Sequence, residues 1–186
     1  MISRFPVPDL ESVPDDLRDR ILEVAEKTGF IPNVFLALAH RPDEARAFFA
    51  YHDTLMDKAT PALSKADREM IVVVTSSANG CLYCVVAHGA VLRIRSKNPL
   101  LADQVATDWR KADLDHRQRA ICDISVRFAR RPETVTIADW DVLAEHGLDD
   151  DDIWDVGAIV GLFGLSNRMA HLTNMRPNEE FYTMGR

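Results

Sequence analysis

The chain has 186 residues, 47% of them hydrophobic, and its 29 acids outweigh 22 bases to give a net charge of −7. That length fits one ordinary domain or two small repeats, with enough apolar residues for a sizeable core. No basic block interleaved with aromatics is present, which argues against nucleic acid as the main partner, and the longest apolar run, Ile159 to Leu165, is too short and Gly-rich to span a bilayer.

In chain order the punctuation reads as helices throughout. The opening "MISRFPVPDLESVPDD" lacks the apolar stretch of a secretory signal. In "SVPDDLRDRILEVAEKTG" Ser12 is the expected N-cap, with Leu17, Ile21, Val24 and Ala25 on one face and Gly29 as the stop. "RPDEARAFFAYHDTLMDKA" carries Ala45, Phe48, Phe49, His52, Leu55 and Met56 at helical spacing. "LSKADREMIVVVTSSANG" opens on Ser64-x-x-Asp67, a near capping box, and closes on Asn79-Gly80. Its Val72–Thr75 run has strand propensity, but the caps bracket it at helical length. A further helix is expected from Cys81, or just before it, to about Arg95, followed by helices over "NPLLADQVATDWRKA" and "LDHRQRAICDISVRFARR". Thr136 and Asp139 frame another near capping box, with Gly147 as its end. The last helix, "DDDDIWDVGAIVGLFGLSNRMAHL", starts on acids that suit the helix dipole, and its Gly157, Gly161 and Gly164 lie near one face where another helix could approach. A tail, "TNMRPNEEFYTMGR", follows.

The chemistry concentrates in "CLYCVVAH". Cys81, Cys84 and His88 stand at i, i+3 and i+7, so on a helix they share a face. At a helix start, free N–H groups and the dipole stabilise a thiolate. A histidine one turn on can act as base or relay. A thiolate that meets a peroxide becomes a sulfenic acid, and a second thiol in reach condenses with it to a disulfide. Two other readings stand beside this one. The thiols could be packed and inert, or Cys81, Cys84 and His88 could bind zinc with Glu69 or another acid as the fourth ligand, although structural zinc sites usually bring a second CxxC or HxxxH. Three cysteines are too few for a secreted disulfide framework, so a cytoplasmic setting is expected, where a CxxC is more often redox-active or metal-binding than a staple.

Glu69, Cys81, Cys84 and His88 together spell E-x11-C-x2-C-x3-H. This resembles the active-site signature of the alkyl hydroperoxidase D and carboxymuconolactone decarboxylase superfamily. "GFIPNVFLALAHRPDEARAFFAYHDTLM" and "GLFGLSNRMAHLTNMRPNEEFY" resemble its peroxidase-related branch. The resemblance implies an all-α, multi-helix, AhpD-like fold as one domain over residues 1–186, with N-terminal helices to 62, a CxxC core over 63–130 and C-terminal helices from 131. It implies a homo-oligomer (dimer, trimer or hexamer) and a thiol peroxidase that takes a hydroperoxide and an unidentified dithiol reductant, with no cofactor and no metal. By position, Cys84 would be the peroxide-attacking thiolate and Cys81 the proton donor and resolving thiol, while His88, oriented by Glu69, would form the relay. The alkyl hydroperoxidase D pattern has a histidine just before the second cysteine. This chain has Tyr83 there, which leaves a relay step at that position without its usual group. The decarboxylase branch does not depend on a CxxC, so both cysteines favour redox chemistry, with a thiol–disulfide oxidoreductase or decarboxylase-like enzyme as the runner-up and a non-catalytic helical assembly protein as the alternative from another class.

Among other residues, Cys122 reads as a buried bystander. His52 reads as packed or at the surface, although it could approach the cluster, and His40, His116, His146 and His171 as helix-end or surface residues. Asn167 and Arg168, late in the last apolar helix, either line a pocket or, in the case of Asn167, pair with backbone. Trp109, Trp140 and Trp154 read as core or interface anchors.

Overall fold

A computed structural model describes all 186 residues and contains helices but no strands. The first half comprises α1 (Asp15–Thr28), α2 (Asn33–Leu38), α3 (Pro42–Met56), α4 (Lys65–Ala78) and α5 (Leu82–Ser96). The second comprises α6 (Leu101–Asp108), α7 (His116–Arg130), α8 (Ile137–Glu145), α9 (Asp150–Thr173) and α10 (Glu180–Thr183). No helix is long and apolar enough to cross a membrane.

The central helix is α4, packed against α5, α6, α7 and α9. Every residue from Asp67 to Ser76 is buried. This explains why the Val72–Thr75 run, which suits a strand by propensity, is helical. A helix surrounded by other helices buries its whole circumference, and β-branched side chains fill that environment well. Most of the polar groups this buries are paired, the Thr75 hydroxyl and Arg68 Nε being exceptions. Arg68, with no exposed surface, donates to Asp155 at 2.8 Å and to the Leu55 carbonyl at 2.9 Å, and Lys58 reaches the same carboxylate at 2.8 Å. The capping boxes read at Ser64/Asp67 and Thr136/Asp139 are both formed, and Asp115/Gln118 and Asp149/Asp152 form two more at the starts of α7 and α9.

Four local expectations change. Ser12 does not cap α1. It closes a 3₁₀ turn, Leu10–Ser12, and α1 begins after Pro14, because Val13 precedes a proline and is driven to extended backbone. The segment before α3 contains a short helix, α2, and the tail contains α10; neither has a periodic signature of its own. The side-chain carbonyl of Asn178 accepts from Asn33 N–H at 2.8 Å and its amide donates to the Ile31 carbonyl at 2.9 Å, so tail and N-terminal segment hold each other. Arg93 of α5 holds α10, donating to the Phe181 and Met184 carbonyls at 2.7 and 2.8 Å. Finally, the glycine face of α9 is only partly occupied: Gly157 faces the Trp140 and Phe128 rings, Gly161 faces open space, and Gly164 is covered by the side chain of Arg168.

Candidate active site

The CxxC segment is positioned by the turn between α4 and α5. Gly80 takes a left-handed φ of +65°, its N–H bonds to the Ser77 carbonyl at 3.0 Å, and the Cys81 N–H bonds to the Ser76 carbonyl at 2.9 Å. These are the two hydrogen bonds of a Schellman ending, for which glycine is the favoured residue. Cys81 therefore ends one helix and starts the next. Its backbone is extended, at φ −86° and ψ 99°, and it is the N-cap of α5 rather than a member of its first turn. Cys84 is the third helical residue. The expectation that both cysteines lie inside the helix is thus corrected, because the Schellman turn uses Cys81 as its last residue.

Both thiols are free and buried, at 1% and 2% exposure. They titrate as one unit. The Cys84 thiol is the largest influence that brings Cys81 down to about 6; the Cys84 N–H, His171 and Asn167 act in the same direction, against burial. The Cys84 N–H acts electrostatically here, since Cys81 makes no capping hydrogen bond of ordinary geometry. In turn Cys81, then burial, push Cys84 well up. Near neutral pH the pair thus holds a single proton, with the resting negative charge on Cys81 at the helix start.

His88 lies one turn beyond Cys84. Its Nδ1 is 2.8 Å from Glu69 Oε2, and Arg95 Nη1 forms an ion pair with Glu69 Oε1 at 2.9 Å. The carboxylate is held between two partners at 3% side-chain exposure. It keeps the N–H of His88 on Nδ1, leaving Nε2 to exchange a proton. Phe163 packs edge-on against the imidazole at 4.7 Å. No group of three His, Cys, Asp or Glu side chains could hold a metal ion, and Glu69, the fourth ligand of the zinc reading, is already engaged by His88 and Arg95.

The remaining candidates separate cleanly. Asn167 is 1% exposed; it donates to Ser76 Oγ at 3.0 Å, accepts from Asn79 Nδ2 at 2.9 Å, and draws down the pKa of both cysteines. Arg168, beside it in sequence, is exposed and folds back onto the Gly164 carbonyl at 2.6 Å. Cys122 is sealed in the main core, where burial pushes its thiol up. Two site residues escaped sequence reasoning. Ser166 has its Oγ 3.7 Å from Cys84 Sγ. Arg95 stands seven residues after His88, a spacing that places both on one face of α5, so it was accessible to the same argument that linked His88 to the cysteines.

Tyr83 has a defined task. Its ring is buried and its hydroxyl accepts the Val34 N–H at 3.0 Å, at the start of α2. Burial keeps the phenol protonated well above its ordinary range. It therefore ties the CxxC turn to the N-terminal segment. Tyr83→Phe should cost about 1 kcal/mol of stability, because the Val34 N–H loses its partner; a urea midpoint equal to wild type would show that the bond contributes nothing.

An apolar cavity of about 550 Å³ opens beside the thiols. Phe48 and Tyr51 of α3, Leu162, Leu165 and Met169 of α9, and Met175 form much of its wall, and Tyr83 and Ser166 bring it to the Cys84 side of the site. A separate cleft of about 110 Å³ touches Cys81, bordered by His171, Asn174 and Arg176.

A sequence profile of the carboxymuconolactone decarboxylase family matches residues 42–106. A crystal structure described as an alkylhydroperoxidase AhpD core, an uncharacterized peroxidase-related protein from Ralstonia eutropha JMP134, is 61% identical, covers 100% of this chain and 97% of its own, and superposes with a TM-score of 0.97. An uncharacterized peroxidase-related protein from Silicibacter sp. TM1040 is 38% identical over 100% of this chain and 96% of its own, with a TM-score of 0.93. The debrominase Bmp8, solved with 2,3,4-tribromopyrrole, shares the fold at 20% identity, with 98% of this chain and 97% of its own covered and a TM-score of 0.80. No curated protein matches the chain.

Proposed function

The chain belongs to the carboxymuconolactone decarboxylase family, in its AhpD-like, peroxidase-related branch, and from that premise we propose that it is a dithiol peroxidase reducing hydroperoxides through Cys81 and Cys84. The observation that carries this reading is geometric: two free, buried thiols at the start of α5 and, one turn on, a histidine held by Glu69 at 2.8 Å.

Shift of the shared proton from Cys84 to Cys81 makes Cys84 the nucleophile. Its sulfur attacks the terminal peroxide oxygen, the O–O bond breaks, and the departing alkoxide takes a proton by way of His88. The Cys84 sulfenic acid is then attacked by the Cys81 sulfur, water leaves, and a disulfide forms. One thiolate, one thiol, one hydroperoxide and one proton give a disulfide, an alcohol and water. A dithiol reductant restores the pair and releases one proton. Such a cycle needs a reducing supply, which suits the cytoplasm. Exposed Trp154, Leu165 and Leu172 on α9 support assembly as a homo-oligomer.

The cavity supports a substrate with a bulky apolar body and its peroxide at the Ser166 end. With dithiothreitol as reductant, cumene hydroperoxide should be turned over with kcat/KM about tenfold or more above hydrogen peroxide, the scale on which an apolar pocket discriminates. Equal or reversed preference would remove the cavity from substrate binding. Failure of every hydroperoxide to consume two thiols per chain would overturn the peroxidase reading itself.

A further inference from the structure

The oxidative half-reaction consumes a proton, and although His40, Arg41 and Glu44 border the apolar cavity, none of them is a ring neighbour of His88. A different row of groups reaches it. α3 places the ring of His52 with its centroid 6.1 Å from that of His88, a separation that one water molecule spans. His52 Nδ1 is 3.2 Å from Asp53 Oδ1, and Asp53 receives both terminal nitrogens of Arg20 at 2.7 and 2.9 Å. Asp53 and Arg20 border an open cleft with Asp16, Asp19, Glu23 and Arg46. Phe48 and Tyr51 of α3 line the apolar cavity, whereas Arg46, Phe49, Ala50 and Asp53 line this cleft, so one helix separates the two openings.

We propose that His52 is a second histidine of the proton relay, passing the proton taken up in each oxidative half-reaction from the Asp53–Arg20 cleft to His88. The proposal rests on the dithiol peroxidase reading for the demand it serves, and on the geometry above for the route.

The surroundings give the route a direction. The charged and titratable groups around the ring are Asp53 on α3, Arg20 on α1, Glu69 on α4 and His88 on α5; the α9 neighbour is Phe163, at 6.3 Å. Burial, then the charge of His88, lower the pKa of His52, while Asp53 and Glu69 oppose them. His52 is therefore neutral at pH 7 and holds a proton only in passing. Two adjacent imidazoles resist being charged together. A proton that reaches His52 moves on to His88, whose Nδ1 is hydrogen-bonded to Glu69, and His88 delivers it to the leaving alkoxide.

His52→Phe keeps a ring between Phe48 and Phe163 but removes both nitrogens, and His52→Ala leaves a space. Disulfide formation after rapid mixing with cumene hydroperoxide should slow by about 10- to 100-fold in both variants. Added imidazole should restore His52→Ala and leave His52→Phe slow. The pH profile of thiol alkylation should match wild type in both, which shows the thiol pair intact. In NMR titrations, His88→Asn should raise the His52 midpoint. Wild-type rates in both variants between about pH 6 and pH 9 would overturn the relay, as would a loss that imidazole does not restore and that comes with an altered alkylation profile. Inert wild-type protein whose His52 midpoint still responds to His88→Asn would sink the peroxidase reading alone. Normal turnover with a His52 midpoint indifferent to His88→Asn would sink the relay alone.

Discussion

Cys84→Ser should lower peroxide turnover by at least about 10³-fold, because it removes the attacking sulfur and leaves Cys81 without a partner thiol to close the cycle. Cys81→Ser should behave differently: the first attack survives, the sulfenic acid has no resolving thiol, and the enzyme stops after one equivalent of peroxide. A sulfenic-acid trap such as dimedone should label Cys81→Ser at Cys84 and leave Cys84→Ser unlabelled. The reverse pattern would assign the nucleophile to Cys81, the sulfur that bears the resting charge. Alkylation by iodoacetamide supplies the pH dependence. In the wild type its rate should rise as pH increases through about 6, the value to which Cys84, then its amide, bring Cys81. Cys84→Ala removes the largest of those influences, so the midpoint should move up toward the ordinary thiol range of about 8.5. Cys84→Ser retains a hydroxyl donor and should shift it less. A midpoint unmoved by Cys84→Ala would mean that the two sulfurs do not share a proton.

Glu69→Gln should damage both stability and turnover. The carboxylate sits at 3% side-chain exposure between His88 at 2.8 Å and Arg95 at 2.9 Å. A glutamine can accept from only one of these partners, and its amide nitrogen presents hydrogens to the other. Arg95 then keeps only its long bond to the Met56 carbonyl, at 3.3 Å. Removing one partner from a buried ion pair costs about 3–5 kcal/mol. Loss of an oriented relay should lower turnover by roughly 10²-fold or more. Urea unfolding and steady-state rates measure the two effects separately. In a double-mutant cycle, Glu69→Gln should add little to the rate loss of His88→Ala, because both act through one imidazole. Native turnover in Glu69→Gln, or fully additive rate losses, would show that the carboxylate does not act through His88.

The fate of individual candidates shows where local reasoning reached its limit. His88 and the two cysteines were linked by helical spacing, and Glu69 by a family signature; its 2.8 Å bond to His88 joins two helices and lay beyond spacing alone. Asn167 and Arg168 are neighbours in sequence and looked equivalent. The helix phase turns Asn167 toward the thiols and Arg168 to solvent, and that phase depends on what packs against α9. His52 looked like an ordinary packed histidine, since nothing within α3 reveals that His88 lies across from it.

By itself, the sequence determined what hydrogen bonds and steric limits among near neighbours decide. Capping boxes close over three residues, Gly80 supplies the left-handed turn, and helical spacing groups the cysteines with His88. The all-helical class follows from those signals. Tertiary structure alone decided the rest. α2 and α10 are held by Tyr83, Asn178 and Arg93 reaching across the chain, Cys81 is shared between two helices, and the charge of Glu69 is stabilised by groups on α5. Short helices and buried charges are unstable in isolation, and their stability comes from partners distant in sequence.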